Sequence, residues 1–384
     1  MPLPHRLALV AAIALLWPLA PEAQTGGTST FFPDTVPTVP EFVGVGGAAV
    51  AAPTQSPFAI FHNPALLADA GERPGLRLGT SLTPSLFDSG DLPLGTGVGS
   101  IGLRTAVGGR PLHVTLAGAY RELNVDADPT TDDPLEPTFD TEDRTYGGGL
   151  AVGWQGPVRV RVGAIALSRE AQEQSSGADG ALDRDRAVTL DLGAAVTLPL
   201  IDGPAVNGIG PRFSLTFGAA RQGIELQSDL FERPATGPVP GFPAPPPGLA
   251  PAETDRYGAT ADLAFVRRVG ARGRLRVGRL RLSTEQRTAG AGSGHYGGAV
   301  TLAETVTVRG GVERLDVGVE TETRTSAGLG VSLDGLIRAI AVLGRNPRVM
   351  AVADRLTFRG DVARYDIDGP VETDYFSFTV GWRP

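Results

Sequence analysis

Charged side chains at alternate positions of strand-like segments are the residues of this 384-residue sequence that could do chemistry. Alternate positions of a strand point to one face, so these charges share the polar face of each segment. Guanidinium and carboxylate groups on one face can pair with each other, or a guanidinium can bind an anion. Two interpretations stay open: ion pairs that brace an enclosed interior, and an arginine track that guides an anionic head group. The candidate residues are Arg159, Arg161, Asp191, Arg212, Asp262, Arg274, Arg276, Arg309 and Glu313, with Arg359 and Asp361 beside them.

Other kinds of active chemistry find little support in the sequence. His62, His113 and His295 are isolated and lack the spacing of metal ligands. The absence of cysteine excludes disulfides and thiolate metal sites, and no Gly-x-Ser-x-Gly elbow marks a hydrolase serine. The glycine-rich run 44–47 lacks the full spacing and the preceding strand of a dinucleotide site. We therefore predict a protein without catalytic residues, metal or cofactor, with a lipid-facing phospholipase site as the enzymatic alternative.

Alternation of apolar with small or polar residues predicts the elements that hold these charges. In the closing segment, Phe376, Phe378, Val380 and Trp382 alternate with such residues. About fourteen segments of this kind can be counted, each near the ten-residue length of a tilted membrane strand. The 52 glycines and 32 prolines fit many strands and turns, and the net charge of -8 argues against nucleic-acid binding. The predicted fold class is all-β, a transmembrane antiparallel β-barrel of about fourteen strands with a small N-terminal hatch.

The soluble alternative is a β-sandwich, which should carry charges on its outward face and larger residues on its inward face. Here the polar faces are rich in Gly, Ser, Thr and Ala, with scattered charges, and this composition suits a lumen better. An arginine facing lipid at mid-depth would cost about 2–4 kcal/mol. The charged residues therefore belong inside the barrel.

The connections between the segments alternate in length, as they do in outer-membrane barrels. Short turns are predicted at 108–110, 155–156, 270–273 and around Glu304, and longer polar loops at 84–96, 125–142, 170–182, 224–253 and 286–294. An even strand number places both termini on the periplasmic side with the short turns. The apolar run within 334–348 predicts a short helix on that side.

Two of the long loops have unusual compositions. Residues 126–143 are rich in Asp and Glu and could hold calcium or the divalent ions that bridge lipopolysaccharide, although a solvated acidic loop is the simpler interpretation. Residues 234–251 are dense in proline, which predicts an extended outer loop.

The N-terminus has the composition of an export signal. Basic residues precede an apolar run over 7–16, and small residues follow up to Ala23, near which we expect cleavage. That run is too short to span a bilayer as a helix. The predicted organisation is a signal peptide over 1–23, a hatch or plug segment over 24–73 and a barrel over 74–384.

The segment 41–70 interrupts the alternation and carries two motifs, Gly46-Gly47-Ala48 and Phe61-His62-Asn63-Pro64-Ala65. These motifs resemble the start of the FadL-like outer-membrane barrels, and more closely that of the PorV/PorQ group within them. The resemblance implies a fourteen-stranded barrel with an N-terminal hatch. Proline fixes its own φ and biases the preceding residue to an extended backbone, so a structural turn without ligand contact is the simpler role for 63–65. The hatch motif comprises Gly46, Gly47, Phe61, Asn63, Pro64 and Ala65.

The resemblance also implies a location and a function. FadL-like members move hydrophobic molecules, such as long-chain fatty acids or aromatic hydrocarbons, across the outer membrane of Gram-negative bacteria. The expected function is passage of hydrophobic or amphipathic small molecules across that membrane. PorV-like members instead bind cargo proteins in type IX secretion, which is the alternative, and a purely structural barrel is a third. The expected partners are outer-membrane lipid and lipopolysaccharide, a hydrophobic small-molecule ligand and, for the alternative, secretion-system proteins.

Overall fold

The computed structural model describes residues 39–72, 74–83, 94–127, 139–175, 182–203, 208–229, 253–269, 273–288, 293–317, 320–344, 346–367 and 371–383. The predicted signal peptide, most of the acidic segment 126–143 and the proline-rich segment 234–251 lie outside these residues. The strands are β1 (Gly75–Thr83), β2 (Leu94–Val107), β3 (Arg110–Ala127), β4 (Phe139–Gln155), β5 (Arg159–Ser175), β6 (Leu182–Asp202), β7 (Ile209–Asp229), β8 (Thr254–Val269), β9 (Gly273–Arg287), β10 (Ser293–Leu302), β11 (Val306–Val317), β12 (Glu320–Ser332), β13 (Leu356–Ile367) and β14 (Val371–Trp382).

These strands close into one antiparallel barrel. Each strand pairs with its neighbours in the sequence, and β1 pairs with β14 to complete the ring. The closing register sets Leu76 opposite Trp382 and Leu82 opposite Phe376. Because the ring is closed, the strands pair on both sides, which is what a sheet inside a membrane requires. The predicted fold class is confirmed.

Several strands are longer than the ten residues that the alternation predicts. β6 and β7 have 21 residues each, and β3, β4 and β5 extend into segments predicted as the loops 125–142 and 170–182. β7 likewise reaches Asp229, inside the predicted loop 224–253. In the extensions of β4 and β5 both faces carry polar residues, so the hydrophobic alternation stops while the backbone pairing continues. In β7 the alternation itself continues through Ile224 and Leu226, past the predicted end of the strand. The predicted loop boundaries were therefore wrong.

The outward face of the barrel is apolar. Leu82 of β1 is 51% exposed and Phe378 of β14 is 53% exposed, while their sequence neighbours Ser81 and Ser377 are buried inside. The same division recurs around the ring at Leu103, Val162, Leu282 and Val308. An apolar surface of this extent is typical of a barrel embedded in lipid.

One end of the barrel carries the short connections, and we call it the turn end. Gly108 and Gly109 join β2 to β3 with positive φ values of 58° and 74°, as a two-residue hairpin turn requires. Between β12 and β13 the connection instead forms two helices, α3 (Leu333–Leu343) and α4 (Pro347–Arg355). α3 agrees with the predicted helix, whereas α4 was not predicted, although Asn346 caps it and Pro347 occupies its first position. In the described part of the chain, every helix is too short or too polar to cross a membrane.

Residues 39–72 lie inside the barrel, and we call them the hatch. The hatch contains α1 (Pro40–Val43), 3₁₀ helices at Pro57–Phe61 and Pro64–Leu67, and α2 (Ala68–Gly71). Most of its residues are buried, and Phe58, Ile60 and Leu66 pack against Val98 and Ile165 of the wall. The segment that interrupts the alternation therefore fills the lumen.

Candidate functional site

Glycines on the luminal face let the hatch backbone approach the wall. A side chain at Gly311 of β11 would overlap the backbone of Val45 and Gly46, and a side chain at Gly297 of β10 would overlap Val45. A comparably close approach occurs at Gly153 against Ala68, Gly163 against Pro64, Gly193 against Asn63, Gly218 against Val50 and Gly328 against Gly44. The wall is thus shaped to the hatch, because only a residue without a side chain leaves room for the opposing backbone.

Glu285 of β9 ties the hatch to the wall. Its Oε2 accepts hydrogen bonds from the backbone N–H groups of Ala49 and Val50, both at 2.8 Å. Its Oε1 accepts from Nε of Arg256 at 2.7 Å and from Nε of Arg287 at 2.8 Å. The carboxylate is fully buried. Two hatch amides, the buried guanidinium of Arg256 and the partly buried guanidinium of Arg287 therefore depend on one side chain.

The glycine motif of the hatch makes a turn that the wall holds through its backbone. Gly46 and Gly47 have φ values of 64° and 77°, in the region that favours glycine. The N–H of Gly46 donates to Oγ of Ser326 at 3.0 Å, and its carbonyl oxygen lies 2.7 Å from Nδ1 of His295. Nη2 of Arg287 donates to the carbonyl of Gly47 at 3.2 Å. The motif is thereby fixed to β9, β10 and β12.

Asn63 joins the two 3₁₀ helices of the hatch. Its backbone is extended, with φ −153° and ψ 103°, as expected before proline. Its Oδ1 accepts from the N–H of Ala65 at 3.0 Å, and its Nδ2 donates to the carbonyls of Val50 at 2.7 Å and Ala194 at 3.2 Å. Asn63 is fully buried. A structural turn is therefore the role that this geometry supports.

Phe61 and Pro64, the other members of the hatch motif, lie against different parts of the wall. The Arg121 guanidinium carbon lies 5.5 Å from the centre of the Phe61 ring, a cation–π contact. Nε2 of Gln222 donates to the carbonyl of Phe61 at 2.8 Å. Pro64 packs on the luminal glycine Gly163. The motif thus spans the lumen.

His62 is a neutral buried histidine. The Phe42 ring lies 4.2 Å from its ring, centre to centre, and Nη2 of Arg256 lies 3.3 Å from its Nδ1. Burial, together with the nearby positive charge of Arg256, holds the pKa of His62 well below its ordinary value. Because a guanidinium can only donate, Nδ1 of His62 accepts this hydrogen bond.

A cavity of about 310 Å³ lies between the hatch and the turn end. Hatch residues 52–56 line one side of it, and Glu304 and Asp334 of the turn end line another. We call this cavity the arginine chamber. The arginines that line it are Arg77, Arg159, Arg276, Arg279, Arg281, Arg309 and Arg359.

Two carboxylates beside the arginine chamber are each shared by two arginines. Asp262 pairs closely with Arg279 and lies 3.6 Å from Nε of Arg281. Asp361 lies 2.6 Å from Nη2 of Arg309 and 2.8 Å from Nε of Arg359. These pairs link β8 to β9 and β11 to β13. Asp262 faces two arginines, so that group carries excess positive charge. In the other group, Oε1 of the hatch residue Glu41 lies 3.4 Å from Nη1 of Arg359 and offsets the excess.

Some buried arginine nitrogens of the arginine chamber lack an acceptor among the described residues, and Nε of Arg281 and Nη1 of Arg309 are two of them. Nη1 of Arg309 has no hydrogen-bond partner within the described ranges, and the residue is 5% exposed. The hatch residue Glu41 lies nearby. Burial opposes its ionisation, but Arg359 and Arg309 outweigh that effect and hold the pKa of Glu41 below its ordinary value. The chamber therefore combines an ionised carboxylate from the hatch with a buried arginine donor that has no acceptor among the described residues.

Two predicted lumen charges bind the hatch. Arg161 pairs with Asp69 of α2, with Nε 3.1 Å from Oδ1, and both side chains are buried. Nη1 of Arg159 lies 2.5 Å from Oε1 of Glu72. Burial raises the pKa of Asp69 despite the neighbouring Arg161. These two arginines therefore hold the C-terminal end of the hatch.

The other predicted charges lie at separate places along the lumen. Asp191 accepts from the N–H of Gly223 at 2.8 Å, near a register shift between β6 and β7. Glu313 lies 3.4 Å from Nε2 of His295. Arg212 pairs at 3.1 Å with Asp202, which is 73% exposed, at the turn end.

Two arginines of β9 complete the set of predicted charges. Arg276 lines the arginine chamber, and its backbone N–H donates to Oε1 of Glu304 at 3.3 Å. The side chain of Arg274 lies outside the described residues. The predicted charges thus form several small clusters instead of one continuous track.

The residues predicted from the sequence do not include Glu285, Arg256 and Arg287, which hold the centre of the hatch. The signal was present, because Arg281, Ser283, Glu285 and Arg287 occupy alternate positions of β9 and so share its luminal face. The alternation does not show which residues of the hatch these side chains bind. The hatch amides bound to Glu285 lie more than two hundred positions away along the chain.

Comparisons with known proteins assign no family to this chain. No protein-family model and no curated protein matches it. A solved structure of a Pseudomonas aeruginosa FadL homologue is 13% identical, over 91% of this chain and 99% of that one, with a TM-score of 0.42. The Pseudomonas putida toluene transporter TodX is 8% identical over 94% and 98%, with a TM-score of 0.40. The β domain of the Bordetella autotransporter BrkA is 10% identical over 81% and 100%, also with a TM-score of 0.40.

Proposed function

We propose that this chain is an outer-membrane channel that passes hydrophobic or amphipathic small molecules and is closed at rest by its hatch. The observation that carries the proposal is the hatch, a separate segment packed into the lumen and held to the wall by a small set of polar contacts. The apolar exterior supports a place in a bilayer. The predicted signal peptide and the resemblance of the hatch motifs support the outer membrane of a Gram-negative bacterium.

The closed state needs a movement of the hatch before anything can pass. The apolar layer formed by Phe58, Ile60, Leu66 and Leu67 packs directly on the wall. Displacing the hatch would exchange this apolar packing for contacts with the apolar part of the ligand, so the free energy of opening falls when such a ligand is present.

The arginine chamber would then receive the polar end of the ligand. A carboxylate there could accept from Nη1 of Arg309, a buried donor that lacks a partner within the described ranges. A charge-assisted hydrogen bond of this kind is worth about 1.5–3 kcal/mol. The proposal therefore favours an amphipathic ligand with an anionic head over a neutral one of the same length, and it assigns no reaction to the chain.

Uptake by whole cells tests the proposal. Cells whose outer leaflet is lipopolysaccharide would express the chain or an empty vector, and uptake of radiolabelled dodecanoate and dodecan-1-ol would be measured. The wild-type chain should raise the uptake of both compounds, whereas Arg309→Gln should lower dodecanoate uptake about tenfold, the equivalent of roughly 1.4 kcal/mol, and leave dodecan-1-ol unchanged. Uptake equal to that of the empty vector for both compounds would refute the proposed function.

The role in type IX secretion rests on the sequence resemblance alone. In the same strains, co-purification of secreted proteins with the chain, together with unchanged uptake of both compounds, would favour that alternative.

A further inference from the structure

The helix α3 presents a narrow apolar stripe to its surroundings. Leu333, Leu336 and Ile340 are 43%, 42% and 56% exposed. Their spacing of three and four residues places them on one side of the helix. Arg338, Ala341 and Val342 lie on the other side and are buried. Three large exposed apolar side chains along one side of a helix indicate a surface that contacts an apolar neighbour.

The stripe continues the apolar exterior of the barrel. On β12, Leu329 and Val331 are 43% and 41% exposed, and Leu333 follows at the next outward position as α3 begins. On the neighbouring strand β13, Leu356 and Phe358 are also exposed, at 38% and 40%. The apolar surface therefore passes from the strands onto the helix without a polar gap on β12.

The opposite side of α3 is fixed to the rim of the barrel. Nη1 of Arg338 donates to Oε2 of Glu304 at 2.9 Å, and its Nη2 donates to Oδ1 of Asp354 at 2.9 Å. Gly335 lies so close to the backbone of Glu304 that a side chain there would overlap it. These contacts keep the helix from rolling, so the stripe stays outward.

The helix pair is positively charged in an acidic protein. Residues 333–355 contain four arginines and two aspartates, a net charge of +2, in a chain whose formal net charge is -8. Arg348 and Arg355 of α4 are exposed. Basic residues beside an apolar stripe are the combination with which interfacial helices bind anionic lipid surfaces.

We propose that α3 and α4 dock onto the periplasmic leaflet of the membrane, with the α3 stripe at the boundary between headgroups and acyl chains and the α4 arginines on anionic phospholipid headgroups. Continuity with the lipid-facing strands selects lipid as the occupant. The helix pair would then fix the depth of the barrel, and this role is independent of what the lumen transports.

Spin labelling tests this docking directly, because the chain contains no native cysteine. Ile340→Cys would carry the label on the stripe, Leu329→Cys would mark the lipid-facing wall and Arg348→Cys would mark the basic surface of α4. In vesicles of phosphatidylcholine with one-third phosphatidylglycerol, the label at 340 should be more accessible to oxygen than to a water-soluble nickel chelate, as at 329. All three side chains are exposed, so these changes leave the packing of the barrel intact.

Three results would overturn the proposal. Nickel accessibility at 340 as high as that at 348 would place the stripe in water. Dipolar broadening between labels at 340 would show a second copy of the chain on the stripe instead of lipid. The label at 340 should also lie deeper in the bilayer as the phosphatidylglycerol content of the vesicles rises. Adding Arg348→Gln and Arg355→Gln to the labelled variant should abolish this dependence. A depth independent of phosphatidylglycerol would refute the role of the arginines.

Discussion

Replacing Glu285 with alanine should release the centre of the hatch. The substitution removes the acceptor of the N–H groups of Ala49 and Val50 and the counter-charge of Arg256 and Arg287. The Glu285 carboxylate is fully buried. The barrel strands keep their own hydrogen bonds, because the carboxylate takes no part in pairing between strands. The change should therefore favour displacement of the hatch over unfolding of the barrel.

The size of the effect follows from those contacts. Breaking a buried charge network by removing one partner costs about 3–5 kcal/mol. If these groups are hydrated once the hatch is displaced, the ratio of displaced to closed hatch rises by a factor of about 10² to 4 × 10³, at about 1.4 kcal/mol for each factor of ten. Glu285→Gln keeps one acceptor oxygen for the hatch amides, so it should produce a smaller increase.

Single-channel recording in planar bilayers measures this ratio as the fraction of time that the channel conducts. The wild-type channel should be mostly closed, and Glu285→Ala should conduct at least about a hundred times more often. Glu122→Ala is the matched control, because Glu122 pairs with Arg144 at a half-exposed position away from the hatch. If the Glu285→Ala channel stays closed as much of the time as the Glu122→Ala channel, Glu285 does not hold the hatch in place.

Three further variants test other parts of the hatch. Gly311→Val would force a side chain into the backbone of Val45 and Gly46. It should therefore raise protease cleavage within the hatch, while the barrel keeps its heat resistance on gels. A hatch that the protease does not cut would contradict this packing. Asn63→Ala loses three hydrogen bonds and should destabilise the closed hatch by roughly 2–4 kcal/mol. The Asn63→Ala channel should therefore conduct for a larger fraction of the time than the Asn63→Gln channel. His62 has a lowered pKa in the folded hatch, so hatch stability should be complete above about pH 6.5 and should fall as the pH drops below it, because the released hatch binds the proton more tightly. Channel opening should therefore increase below that pH in the wild type and increase less in His62→Gln; identical pH profiles would remove His62 from the account.

The barrel was predictable because its signal is local. Alternation over a few residues states which side of a strand is apolar, and in β14 Phe376, Phe378 and Trp382 are exposed as the sequence indicates. The turn at Asn63 was predictable for the same reason, because proline restricts its own φ and the residue before it.

The strand ends and the α4 helix were harder to predict. In the extensions of β4 and β5, residues on both faces are polar, so a strand and a loop have similar compositions while the hydrogen bonds continue. α4 is short and its sequence mixes apolar and charged residues.

The contacts that define the site were beyond reach of the local pattern. Nothing near Ala49 identifies Glu285 as its partner, and nothing near Val45 identifies Gly297 or Gly311 as the glycines it faces. These pairings depend on how deep the hatch lies in a lumen built from all fourteen strands.

The most direct test of the account is to lock the hatch to the wall. A Cβ at Gly153 would lie 2.9 Å from Cβ of Ala68, so Ala68→Cys and Gly153→Cys can form a disulfide after a shift of about 1 Å. Maleimide labelling of the double variant after reduction, but not before it, would confirm the bond. Oxidised cells should take up dodecanoate no faster than cells with an empty vector, and a reductant should restore the wild-type rate. Uptake at the wild-type rate with the disulfide formed would show that the ligand passes without movement of the C-terminal end of the hatch.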